Sequence, residues 1–256
     1  VEEALQHDLQ ASTNRAEMDH VGAAALWQGR QDSVFEALIR CAGPALSSPR
    51  LRSNKLGLDT PAVRELERVA ERFGARFGSV SLSEQANRLH AYLDRDESIH
   101  WILPAQARDG LDAGQRFEAA RLAWAVPRGA GALVSTSPQE AAGATMSILL
   151  AARRTVTTGG PSLPSVPVKL RRSVRKRVAE VVGDRVMDTN TILEGIEALQ
   201  QNADRAGLLW GGDIGTALRA VLGTQPDRNA ARSSPRALAL VHFWAAPDSP
   251  RWGTHG

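Results

Sequence analysis

The feature that most constrains this chain is a change of hydrophobic period along it. Val63, Leu66, Val69, Ala70 and Phe73 recur at helical spacing. From Gly78 to Leu103 the period falls to two, in Val80/Leu82, Leu89/Ala91/Leu93 and Ile99/Trp101/Leu103. After Leu111 the helical spacing returns and holds as far as Leu222. Side chains three or four apart share a helix face, and side chains two apart share a sheet face. The order is therefore helices, a few short strands, then helices. That predicts an α+β protein, predominantly helical, with a small antiparallel sheet.

Punctuation residues sharpen the elements. Thr60-Pro61 starts a helix: the hydroxyl caps it, and proline lacks the amide hydrogen that the first turn would orphan. Gly74 stops it. Leu111 to Val126 reads as a helix ended by Pro127 and Gly129. Ser137-Pro138-Gln139-Glu140 and Thr191-Ile-Leu-Glu194 have capping-box spacing, and Asp213 caps a last clear helix. Pro44 to Asp59 and the proline-rich Gly159 to Pro167 read as linker and loop. Ala237 to Ala246 is a short apolar segment of no assigned type. Val21 to Cys41, turning at 28–32, reads as a helical hairpin similar to one tetratricopeptide-type pair.

At 256 residues and 43% hydrophobic the chain has enough apolar material for a sizeable core. No apolar run approaches the roughly 20 residues of a membrane span. The opening Val1-Glu-Glu-Ala-Leu-Gln-His is polar and acidic, unlike a secretory leader, and heavy arginine and alanine use with little lysine fits a GC-rich bacterial genome, so a bacterial cytoplasmic location is expected. Cys41 is the only cysteine, which excludes an internal disulfide and a cysteine-rich zinc site; it reads as a small buried residue on a helix. Lysine occurs only at 55, 169 and 176, so arginine carries nearly all the positive charge behind the net +3.

The segment Gln200-Gln-Asn-Ala-Asp-Arg-Ala-Gly-Leu-Leu-Trp-Gly-Gly-Asp213 resembles the third-ligand helix of HtpX-type zinc metallopeptidases. In that family two histidines of a His-Glu-x-x-His helix and a glutamate on a later helix bind zinc. Residues i and i+4 bring both imidazoles to one ion, and the glutamate between them polarises its water. The resemblance runs from about Leu58 to Leu222 and is closest to peptidase-like regions of large myxobacterial proteins that carry tetratricopeptide repeats. It puts the histidine positions at Arg121 and Ala125, the catalytic glutamate at Leu122 and the third ligand at Gln200. Asp204 falls on a position beside the metal. None of Arg121, Leu122, Ala125 or Gln200 is a strong zinc ligand or a base for water. The six histidines never fall at i,i+3 or i,i+4 spacing. The resemblance thus implies a degenerate domain with no metal, no cofactor and no catalytic residue, in which Asp204 pairs with an arginine such as Arg121 or Arg205 or caps a helix. The layout expected from it is a helical, repeat-like segment at 1–46, a metallopeptidase-like domain at 58–246 and a tail at 247–256.

Function follows as an expectation. A peptidase scaffold without its ligands keeps a groove suited to a protein partner, so the leading reading is a non-catalytic interaction or scaffold module. An alternative is binding of nucleic acid or an acidic partner through Lys169, Arg171, Arg172, Arg175, Lys176 and Arg177. The stretch from Lys169 to Arg185 holds seven basic and two acidic residues. The same residues interleave with a valine stripe, as on the solvated face of a packed helix. An active hydrolase comes third, since the chain has neither a Gly-x-Ser-x-Gly elbow nor a P-loop. Of the six tryptophans most should be core, and Trp252 is the candidate for a partner contact.

Overall fold

Three helices start with the same pair, a hydroxyl residue followed by proline. Thr60 accepts from the Val63 amide at 3.3 Å, Ser137 from Glu140 at 3.2 Å and Ser234 from Ala237 at 3.2 Å. Each hydroxyl satisfies one of the amides that a first turn leaves without a partner. The computed structural model describes residues 33–46, 54–55, 57, 59–94, 96–157, 159–223 and 228–246. In order these form α1 (Ser33–Ala42), β1 (Asn54–Lys55), α2 (Pro61–Arg72), β2 (Arg76–Ser83), β3 (His90–Leu93) and β4 (Ser98–Pro104). Then come α3 (Ala113–Ala125), α4 (Gly131–Val134), α5 (Pro138–Ala151), β5 (Val156–Thr157), α6 (Arg172–Val182) and β6 (Met187–Asp188). The described chain ends with α7 (Thr189–Gly211), α8 (Ile214–Leu222), α9 (Arg228–Ser233) and α10 (Pro235–Ala245). The protein is α+β and predominantly helical.

The four-stranded sheet has the order β1-β2-β4-β3 and is mixed, which corrects the expected antiparallel sheet. β3 and β4 form an antiparallel hairpin, but β4 lies parallel to β2. The link at 84–89 carries β3 one place beyond β2, and β4 fills the slot between them. Period-two spacing tells which side chains share a face and says nothing about which strands are neighbours. β1 lies inside the stretch read as a linker and pairs with the end of β2. One face of the sheet, carrying Val80, Ala91, Ile99, Trp101 and Leu103, is buried in the core.

The helical core is built on α3 and α7, which pack along each other more extensively than any other pair of elements. From Phe117 onward α3 is buried on all sides except at Glu118, as expected for a helix enclosed by other elements. Phe35, Leu38, Ile39 and Ala42 bring α1 into the same apolar cluster. The first helix of the predicted hairpin, at 21–28, lies outside the described residues, as do Trp252 and the tail at 247–256.

Two further expectations change. The long helix α7 starts at Thr189, with Asp188 rather than Thr191 as its cap. The two oxygens of Asp188 accept from the Thr191 amide at 2.9 Å and its hydroxyl at 2.6 Å, so Thr191 occupies the third position of the turn. The short apolar segment after Ser234 is the helix α10. Among the described residues no helix is long and apolar enough to cross a membrane.

Candidate functional site

The candidate site lies where α3, α7, α10 and the end of α4 meet. Small residues make the approach close. On α7, Ala203 and Ala206 are fully buried, and a Cβ on Gly207 would stand 2.7 Å from the Phe117 ring and 2.9 Å from Cγ of Arg121. A larger side chain would hold the two helices apart. The distinctive Ala-Asp-Arg-Ala-Gly run is therefore first of all a packing surface for α3.

Arg121 enters from α3 and is only 6% exposed. Its Nε lies 2.8 Å from Oδ1 of Asp204, an ion pair without a linear hydrogen bond. Nη1 donates to the Glu118 carboxylate one turn earlier, and Nη2 donates to the Val134 carbonyl at 2.6 Å. The guanidinium also sits 5.7 Å from the centre of the Phe117 ring. Burial works against the charge, but Glu118 and Asp204 more than offset it and hold the guanidinium above its ordinary pKa.

Asp204, 1% exposed, faces two cations. Arg236, on α10, meets it side-on: Nε donates to Oδ2, and Nη2 donates to Oδ1 at 2.6 Å. Planar two-point pairing is the strongest form of this contact. Asp204 was expected to pair with Arg121 or Arg205. Arg121 does so. Arg205 turns the other way, donates to Asn202 Oδ1 at 3.1 Å and lies 5.5 Å from the Phe243 ring centre. Burial pushes its guanidinium below the ordinary value, with Asp204 opposing.

Gln200 lies one turn before Asp204 and is fully buried. Its Nε2 donates to the carbonyls of Leu133, at 2.8 Å, and Thr136, at 3.0 Å. The carbonyls of Leu133 and Val134 belong to the C-terminal end of α4, where a helix leaves oxygens unpaired and partly negative, and that of Thr136 lies two residues beyond it. An amide and a guanidinium suit that end because both donate; a carboxylate there would face oxygens with nothing to give them. Gln200 Oε1 is buried without a hydrogen-bond partner among the described residues.

Of the five positions that the resemblance singles out, the structure thus brings together Arg121, Gln200 and Asp204. Leu122 and Ala125 are buried apolar residues of the core. Among the described residues no three His, Cys, Asp or Glu side chains lie close enough to hold a metal ion. The sequence reading missed Arg236 and Glu118. Arg236 was recoverable in part, because Ser234-Pro235 repeats the start signal of α2 and α5. Which residue of that helix would meet Asp204 depends on packing alone.

Lys169, Arg171, Arg172, Arg175, Lys176 and Arg177 are all exposed, on α6 and the residues before it. Val178 and Val182 form the buried side of that helix, which packs on α1. Arg171 is the N-cap and makes no side-chain cap, and the first turn has no acidic residue. No family model matches the chain, nor does any curated protein or solved structure.

Proposed function

We propose that this chain is a protein-interaction or scaffold module on a degenerate metallopeptidase-like framework, non-catalytic at the position where the peptidases bind zinc. The observation that carries the reading is the Arg121 guanidinium between Glu118 and Asp204, in contact with both. Arginine does not lose its charge at physiological pH, so a zinc ion placed there would meet a permanent cation. Asp204, the carboxylate that α7 brings to this junction, is already engaged by Arg121 and Arg236. Gln200 spends its amide on backbone oxygens. The framework and its helical surfaces remain, and the proposed partner is another protein.

The test is zinc stoichiometry by plasma mass spectrometry, with thermal melts run with and without chelator. The expected result is less than a tenth of an equivalent of metal and an unchanged midpoint. One equivalent of zinc per chain, or casein cleavage abolished by chelation, would sink the reading.

A second reading, binding of nucleic acid or an acidic partner through α6 and the residues before it, is favoured by where the charges sit. Arg171, Arg172 and Arg175 crowd the N-terminal end of a helix, where the macrodipole opposes cations. Only Lys176 has an acidic partner within reach among the described residues, Glu180 at 3.7 Å. Affinity capture with and without nuclease, at low and high salt, separates the two readings. A protein partner persists after nuclease, whereas nucleic-acid binding weakens steeply with salt.

A further inference from the structure

A second polar cluster occupies the other face of the sheet. Ser79 on β2, His100 on β4 and Tyr92 on β3 are cross-strand neighbours in one row. Ser79 Oγ lies 2.6 Å from His100 Nδ1, and His100 Nε2 lies 2.7 Å from Asp94 Oδ2, just past the end of β3. The other oxygen of Asp94 accepts from the amides of Asp96, at 2.9 Å, and Ser98, at 3.1 Å. Tyr92 stacks on the imidazole with ring centres 5.5 Å apart.

These contacts fix the proton positions. The hydrogen bond with His100, helped by the amides of Ser98 and Asp96, holds the Asp94 carboxyl below its ordinary value, so it is an anion and accepts only. His100 in its neutral form must then carry its hydrogen on Nε2. That leaves the lone pair of Nδ1 aimed at Ser79, whose hydroxyl donates to it. Serine, a base, and a carboxylate that orients the base are the three parts of an activated hydroxyl nucleophile. They are recognised by roles and geometry rather than by order along the chain.

The backbone is arranged around the cluster. β2 carries a register shift between Phe77 and Ser79, a bulge of the kind that re-aims a side chain. The intervening residue is Gly78, where a Cβ would stand 2.9 Å from His100 Nε2 and 3.0 Å from the Ser98 Cβ. Glycine there leaves room for the imidazole in the plane of the contact. The site is open enough for a reagent, since the His100 and Asp94 side chains are 21% and 33% exposed. Ser81, two residues along the same strand face, is opposed by Ile102 and has no such base.

We propose that Ser79 is an acyl-accepting nucleophile for ester donors, with His100 as its base and Asp94 as the residue that positions His100. Oγ attacks the ester carbonyl carbon, the Oγ–C bond forms, and the bond to the departing alkoxide breaks. The proton passes from Oγ to Nδ1 of His100 and then to the alkoxide, while Asp94 stays ionised beside the imidazolium. Water later reverses the sequence, freeing the carboxylic acid and restoring the serine. This cluster shares no residue with the one around Arg121, so each proposal stands or falls alone.

The experiment treats the full chain with a fluorophosphonate probe, which loses fluoride to an activated serine, and locates the adduct by peptide mass mapping. The expected result is one adduct per chain, on Ser79, with none on Ser81. Ser79→Ala abolishes it, and His100→Gln and Asp94→Asn slow it by about a hundredfold or more, the scale of general-base catalysis. Equal labelling of Ser79 and Ser81 in the unaltered protein overturns the proposal without any variant having to fold. Labelling of Ser79 at the original rate in His100→Gln overturns it too.

Discussion

Arginine does opposite work in two parts of this molecule. Around Asp204, Arg121 and Arg236 sit in a largely dry junction, engaged by carboxylates. On α6, five arginines and lysines between 171 and 177 stand in water, and one of them reaches an acid among the described residues. In the first place solvent no longer screens the charge, so the partners decide whether the fold tolerates it. In the second, water does the solvating, and a pair there is worth little. The same residue type is structural when enclosed and available when exposed; composition alone does not separate the two cases.

The sharpest way to break the enclosed region is to restore the ligand that the resemblance says is missing. Gln200→Glu would put a buried carboxylate against the carbonyls of Leu133 and Thr136 in place of two donated hydrogen bonds. The expected loss is about 4 kcal/mol at neutral pH, read from urea unfolding. The penalty has a definite sign with pH. Burial raises the folded-state pKa of the new acid, so stability relative to the parent falls as pH rises above about 4 and recovers below it, where the protonated acid can donate. A variant that gained stability and one equivalent of zinc would overturn both this account and the proposed function.

Asp204→Asn comes next. It leaves Arg121 with Glu118 and lets the partly exposed Arg236 turn to water, so the expected loss is about 3 kcal/mol. In a chain of this size that lowers the melting midpoint by about 6–12 °C. Gly207→Ala tests the close approach that encloses the cluster. Alanine gains about 1 kcal/mol of helix propensity, but its methyl group overlaps the buried Phe117 ring at a cost of about 2–3 kcal/mol, for a net loss of about 1–2 kcal/mol. A net gain would mean that α3 and α7 do not need glycine between them.

How far the sequence carried can be followed residue by residue. Helix starts at Thr60, Ser137 and Asp213 were legible because capping is local: the donor and the acceptor lie within one turn. Strand faces were legible because alternation is local as well. The mixed order of the sheet was not, since strand partners are chosen by contacts across the fold. The Arg121–Asp204 contact was one of the alternatives that the resemblance implied, beside Arg205 and a helix cap, but Arg236 required knowing where a third helix lands. The Ser79–His100–Asp94 row was invisible for the same reason. It depends on a bulge at Gly78 and on β4 inserting beside β2, and neither leaves a mark at fixed spacing in the chain.

The exposed region offers the smallest effect, and one of opposite sign. Arg171 occupies the N-cap of α6 and makes no cap, with Arg172 and Arg175 following it in the first turns. A carboxylate there would accept from the free amides and lie favourably in the helix field. Arg171→Asp is therefore expected to raise stability by about 0.5–1 kcal/mol, measured as a shift in the urea midpoint at constant slope. If α6 binds an anionic partner as proposed, the same variant weakens that binding, and the gap between parent and variant narrows as salt is added. Both results together would mean that the protein gives up helix stability at this end to hold a basic surface. A stability gain with no change in binding would leave α6 a solvated helix face and confine the proposed interaction role to the remaining helical surfaces.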